Sequence, residues 1–181
     1  MKKLIIVTAL LLAGCAASQE DLSRVSAVES SRLVGPSEPL SSYASYELAP
    51  MTMSPEVSAK PEKVEQGNIL EGKIRAKLQP LLEEWSKSSA AGRSGVLTVH
   101  PELVKLRIVS GGARFFAGAF SGDSFIDLDL RLTDSNGNEI AKPRINKSAG
   151  AMGGAWSVGK TDQNLHDYIA HIVYRYMVDN Y

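Results

Sequence analysis

The chain has 181 residues, 44% of them apolar and 22% charged, enough for one ordinary globular domain and too apolar for a disordered chain. Its 20 basic and 20 acidic residues balance, which excludes a strongly basic nucleic-acid binder. The single cysteine excludes an internal disulfide and a cysteine-rich zinc site.

That cysteine closes an export signal. Met1-Lys2-Lys3 is followed by a largely apolar run from Leu4 to Leu12 and then by Ala13-Gly14-Cys15. The apolar run is far shorter than the roughly 20 residues that cross a bilayer, and it has the charged start and small residues of a secretory signal. Leu12-Ala13-Gly14-Cys15 resembles the lipobox of bacterial lipoproteins. The resemblance implies cleavage after residue 14, a diacylglycerol in thioether linkage on Cys15, and a further acyl chain such as palmitate on its amine. Each buried methylene contributes about 0.8 kcal/mol, so several chains anchor firmly. Ala16, not Asp, follows the cysteine, which by the same resemblance implies transport to the outer membrane; it does not specify which side the domain faces, and the periplasmic side is the expectation. Loss of residues 1–14 removes Lys2 and Lys3 and leaves the mature chain slightly acidic.

Residues 15–42 are expected to be the lipidated cysteine and a Ser-rich tether, with Pro36 and Pro39 and at most a short helical stretch over 21–32. Residues 43–181 are expected to form one domain. The near-alternating residues of 43–53 predict a first strand weakened by Pro50, and 54–67 read as a loop. From Ile69 to Trp85 apolar residues recur at spacings of three and four, the pattern of one helical face, with Pro80 expected to kink the helix or start a second one. Residues 96–99 and 103–109 read as strand. Residues 125–133 alternate most clearly, with Ile126, Leu128, Leu130 and Leu132 on one side and Asp127, Asp129 and Arg131 on the other. Asp134-Ser135-Asn136-Gly137 supplies a hairpin turn, and 139–145 return as a strand placed at an edge by Pro143. A last helix starts at Thr161 or Asp162 and carries an apolar stripe from Leu165 to Met177. The order β-α-β-β-β-α predicts an α+β fold: a small, mainly antiparallel sheet with helices packed on one face.

Gly154, Gly159, Lys160 and Thr161 match the phosphate-binding P-loop. Residues 147–153 before them are small and polar rather than a buried parallel strand, and an exported protein meets almost no ATP. No nucleotide, cofactor or metal is therefore expected. Asp127, Asp129 and Asp134 offer an acidic ladder that could serve glycan hydrolysis or calcium binding, although alternating Asp on a half-exposed strand more often solvates the face and blocks aggregation. His166 and His171 read as surface residues paired with Asp162 and Asp167; five residues apart, they do not share a helix face as a zinc-binding pair would. Residues 111–122 combine four glycines, three phenylalanines and Arg114. They read either as bends with Phe in the core or as an apolar loop that meets a partner. Phe115, Phe116, Phe120 and Trp156 are the candidate partner-binding residues.

The stretch 114–140, with Arg114, Gly118, Gly122, the alternating strand, Asp134 and Gly137, resembles the signature of an uncharacterised family of bacterial outer-membrane lipoproteins. The layout is also similar to lipoproteins that assist curli secretion or activate peptidoglycan synthases. These resemblances imply a non-catalytic accessory or binding module in the cell envelope, with a membrane and an envelope protein as partners and no catalytic residue. The alternatives are a periplasmic ligand-binding, glycan-binding or hydrolytic domain using Asp127 and Asp129, and a self-assembling subunit.

Overall fold

The computed structural model describes residues 22–88, 92–109, 122–149 and 165–181. Residues 22–30 form helix α1, followed by a 3-10 turn at Leu40–Ser42. Strands β1 (Ser45–Leu48) and β2 (Thr52–Met53) lead into helices α2 (Pro55–Ser58) and α3 (Pro61–Lys87). Strands β3 (Val96–Arg107), β4 (Ser124–Thr133), β5 (Glu139–Ala141) and β6 (Arg144–Ala149) follow, and then helix α4 (Leu165–Asp179).

The alternation in β3 and β4 fixes the architecture. The two strands pair antiparallel, with Val99 opposite Leu132 and Leu103 opposite Leu128. Their apolar sides, Leu97, Val99, Leu103 and Leu106 with Ile126, Leu128, Leu130 and Leu132, are all buried. Against that face pack the stripe Leu70, Ile74, Leu78, Leu82 and Trp85 of α3 and the stripe Leu165, Ile169, Ile172, Val173, Tyr176 and Met177 of α4. The fold is α+β, with a mixed but mainly antiparallel six-stranded sheet. β1 and β2 lie parallel to β3, with α2 and α3 as the crossover, while β5 and β6 flank β4 antiparallel.

The prolines explain where the elements depart from the sequence expectation. β1 and β2 are two pieces of the expected first strand, broken at Ala49-Pro50-Met51 opposite Pro101. Pro101 has no N–H to offer there, so β3 runs straight through it and loses no pairing. Pro143 likewise divides the expected return strand into β5 and β6, its carbonyl still accepting from Leu130 N at 3.0 Å. The stretch 54–67 is mostly helix, not loop, because Pro55 and Pro61 occupy first-turn positions where a missing N–H costs nothing. The Ser54 hydroxyl caps α2 by accepting from Val57 N. The inward residue of this part of α3 is Gly67, where a Cβ would lie 2.6 Å from Met53 Cε, so the apolar stripe is invisible in the sequence. Pro80 sits on the exposed side of α3, and no second helix starts there.

The largest departure concerns the expected tether. From residue 22 the chain is docked on the body. Ser30 Oγ donates to Asp179 Oδ2 at 3.0 Å, and Lys147 Nζ donates to Glu29 Oε1 at 3.0 Å. Tyr176 Oη donates to the Val34 carbonyl at 3.0 Å, and Leu40 lies fully buried in the core. Serine content suggested a linker, but Ser26 and Ser30 are buried.

Candidate functional site

The residues that alternate with the core form the outer face of the sheet. Register places Lys105, Asp127 and Asn146 in one cross-strand row, and Glu102, Asp129 and Arg144 in the next. In the second row Arg144 Nε donates to Asp129 Oδ1 at 2.6 Å and Nη2 donates to Oδ2 at 2.8 Å. Lys142 Nζ stands 3.9 Å from Oδ2. Asp129 is buried beneath these cations. The Arg144 hydrogen bonds, with the charges of Arg144 and Lys142, hold its carboxyl below the usual carboxylate range. Asp129 is thus an ionised, two-point clamp between β4 and β6, poorly suited to give up a proton at neutral pH. Asp127, half-buried, faces Lys105 and Asn146 instead.

Asp134 leaves the ladder altogether. Its Oδ1 accepts from Asn136 N and Asn138 N at 2.8 Å, and its Oδ2 from Asn138 Nδ2 at 2.8 Å. These bonds lower its pKa and close the turn, which Gly137 completes at φ +83°. Among the described residues no group of three or more His, Cys, Asp or Glu is placed to hold a metal.

The histidines also differ from expectation. His166 is 4% exposed, tucked between α4 and α3, and its Nε2 has no hydrogen-bond partner. Burial, with the charge of Lys73, pushes its pKa down. Asp167, expected to pair with His171, instead accepts from Lys73 Nζ at 2.7 Å across the α3–α4 contact. His100, a residue the sequence did not single out, meets Thr133 Oγ1 at 3.0 Å on the outer face.

A groove of about 600 Å³ opens beside this face, where the start of α3 meets the end of β3. Leu106, Ile108 and Phe125 give it an apolar floor, and Lys60, Lys63 and Glu62 stand on its wall. No sequence signal marks it, because its walls come from segments some 50 residues apart. Cys15, Phe115, Phe116, Phe120, Trp156 and the 154–161 motif lie outside the described residues.

The clamp makes a direct test. Asp129→Asn and Arg144→Ala are each expected to lower the thermal midpoint at pH 7, and the double variant to fall no further than the worse single one. Because folding depresses the Asp129 pKa, its contribution is present above the ordinary carboxylate range and fades as the pH falls through the folded value. Additive losses in circular-dichroism melts would refute the pairing. In comparison with known proteins, the chain matches no family model and no curated protein.

Proposed function

We propose that the chain is a lipid-anchored outer-membrane lipoprotein whose folded body serves as a non-catalytic accessory or binding module of the cell envelope. The observation that carries this reading is Leu12-Ala13-Gly14-Cys15, the chain's one cysteine, at the end of a short apolar export signal. Of Asp127 and Asp129, on which a hydrolytic alternative would draw, Asp129 is engaged by Arg144, which weakens that alternative. The proposed contacts are the bilayer through Cys15 and an envelope protein through Phe115, Phe116, Phe120 and Trp156.

Metabolic labelling tests the anchor. With radioactive palmitate the wild type is expected to be labelled and to sediment with outer membranes, while Cys15→Ser is unlabelled and released by osmotic shock or left uncleaved. Ala16→Asp is expected to redirect the labelled protein to the inner-membrane fraction. Equal labelling of wild type and Cys15→Ser would overturn the assignment.

A further inference from the structure

Of the six asparagines in the chain, Asn136 alone precedes a glycine, and it stands in the turn that joins β4 to β5. Its side chain is exposed, and its side-chain amide meets no hydrogen-bond partner among the described residues. Asn138, two residues on, differs, because its Nδ2 donates to Asp134 Oδ2 at 2.8 Å. Gly137 follows Asn136 at φ +83°, and nothing lies within 4 Å of where a Cβ would stand. A residue with no Cβ, in open space, leaves its main-chain nitrogen accessible to the side chain before it. That nitrogen and the Asn136 side-chain carbonyl carbon are joined through the main chain, so their reaction closes a small ring and needs no encounter between molecules.

The folded turn holds the nitrogen back. Gly137 N donates to the Asp134 carbonyl at 3.0 Å, and Asp134 N donates to the Asn138 carbonyl at 3.0 Å. The Asp134 carboxylate fixes the same turn by accepting from Asn136 N and Asn138 N, both at 2.8 Å. Gly137 N has to leave the Asp134 carbonyl before it can reach the Asn136 side chain. Exposed turns lie at the low end of local stability, so this opening recurs while the sheet stays folded.

We infer that Asn136 is a site of self-modification, gated by the Asp134 turn, at which the chain turns an amide into a carboxylate without an enzyme. In the opened turn the Gly137 nitrogen gives its proton to solvent base and attacks the Asn136 side-chain carbonyl carbon. The new nitrogen–carbon bond forms, the bond to Nδ2 breaks, and Nδ2 takes a proton from solvent and leaves as ammonia. Water then opens the cyclic imide. Addition at the side-chain carbonyl gives aspartate, and addition at the main-chain carbonyl gives isoaspartate, whose main chain is longer by one carbon. That carbon falls between Asp134 and Asn138, so the isoaspartate form loses the fit of the bonds that close the turn. Ser135 Oγ accepts from Val96 N at 2.7 Å, so the disturbance reaches the start of β3. This goes beyond the anchoring proposal and does not depend on it.

The test uses the full chain carrying Cys15→Ser, so that failure of the lipid reading leaves the result intact, beside a synthetic peptide of residues 131–141. Both are aged in neutral buffer and mapped by mass spectrometry. Amide loss is expected at Asn136 in both, about tenfold slower in the folded chain because the turn is closed most of the time. Both rates are expected to rise with pH, since the attacking nitrogen must shed its proton. Asp134→Ala keeps Asn136-Gly137 but removes the carboxylate's bonds, and is expected to bring the folded rate toward the peptide's, with circular dichroism confirming the fold. Unfolding the unaltered turn in urea is expected to give the peptide's rate, which reads the gate without a substitution there. NMR of the aged chain is expected to show faster amide exchange at Asn138 and Val96, with Val99 and Leu132 unchanged. A folded rate equal to that in the peptide or in urea, or equal rates with and without the Asp134 carboxylate, would overturn the gate. An Asn136 amide still intact in the Asp134→Ala chain when the peptide has fully converted would overturn the site.

Discussion

Leu40→Ala is expected to destabilise the protein by about 3 kcal/mol, the middle of the range for deleting a fully buried leucine side chain. Leu40 lies in the stretch whose Ser and Pro content reads as linker, where a truncated side chain would cost nothing. In the folded chain its N–H donates to the Asn180 carbonyl at 2.9 Å, and its own carbonyl accepts from Tyr46 Oη at 2.8 Å. Its side chain joins a core that includes Tyr46, Trp85 and Tyr176. Backbone bonds on both sides restrain the segment, so the vacated volume closes only in part and the cavity cost persists. Val34→Ala, at a side chain 80% exposed, is the control and should change stability by less than about 0.5 kcal/mol. Urea titrations of the two variants decide the matter. A wild-type midpoint for Leu40→Ala would mean that the segment is not part of the folded body.

Acidification from pH 7.5 to 5.5 is expected to destabilise the fold, with His166 the main cause. The side chain is enclosed between α3 and α4 with Nε2 unpartnered, so protonation places a cation where no acceptor waits. Burial is the first cause of its lowered pKa; Lys73 on α3 adds to it, while Asp167 on α4 and a backbone hydrogen bond to Gln66 oppose it. The folded pKa is below the unfolded one, so the unfolded chain binds the extra proton first. Stability is therefore intact above the ordinary histidine pKa and declines as the pH falls below it, until the folded group also titrates. One such group contributes a slope of at most about 1.4 kcal/mol per pH unit. His100 and His171 are lowered in the same direction, again chiefly by burial, and reinforce the trend. His166→Phe is expected to flatten the profile of denaturation midpoint against pH by up to one proton's worth. An unchanged slope in that variant would exclude His166 as its source.

Period-two and period-3.6 patterns made β4, the central part of α3 and the stripe of α4 legible, because each presents one apolar face to a single core. The crossover at the sheet edge was not legible. The parallel pairing of β1 and β2 depends on what α3 brings alongside, and neither short strand carries that information. Gly67 and Pro61 hid the first turns of α3, since close approach and a pre-set φ leave no hydrophobic trace. At the candidate site, alternation correctly put Asp127 and Asp129 on one face. Only register reveals that Arg144, from beyond the Pro143 break, clamps one and not the other. His166 reads as exposed from its four-residue spacing to Asp162; burial is decided by the helix that covers it.

The docking of residues 22–42 also sets a working radius. In a chain lipidated at Cys15, as proposed, only residues 16–21 separate the acyl chains from the folded body. Fully extended, such a stretch reaches roughly 20 Å, less than the width of the body it holds. The protein would then ride close to the lipid headgroups and search in two dimensions, with limited freedom to tumble. Partners embedded in the same leaflet or brought to its surface would meet it often, whereas those across a wide aqueous gap would have to come to it.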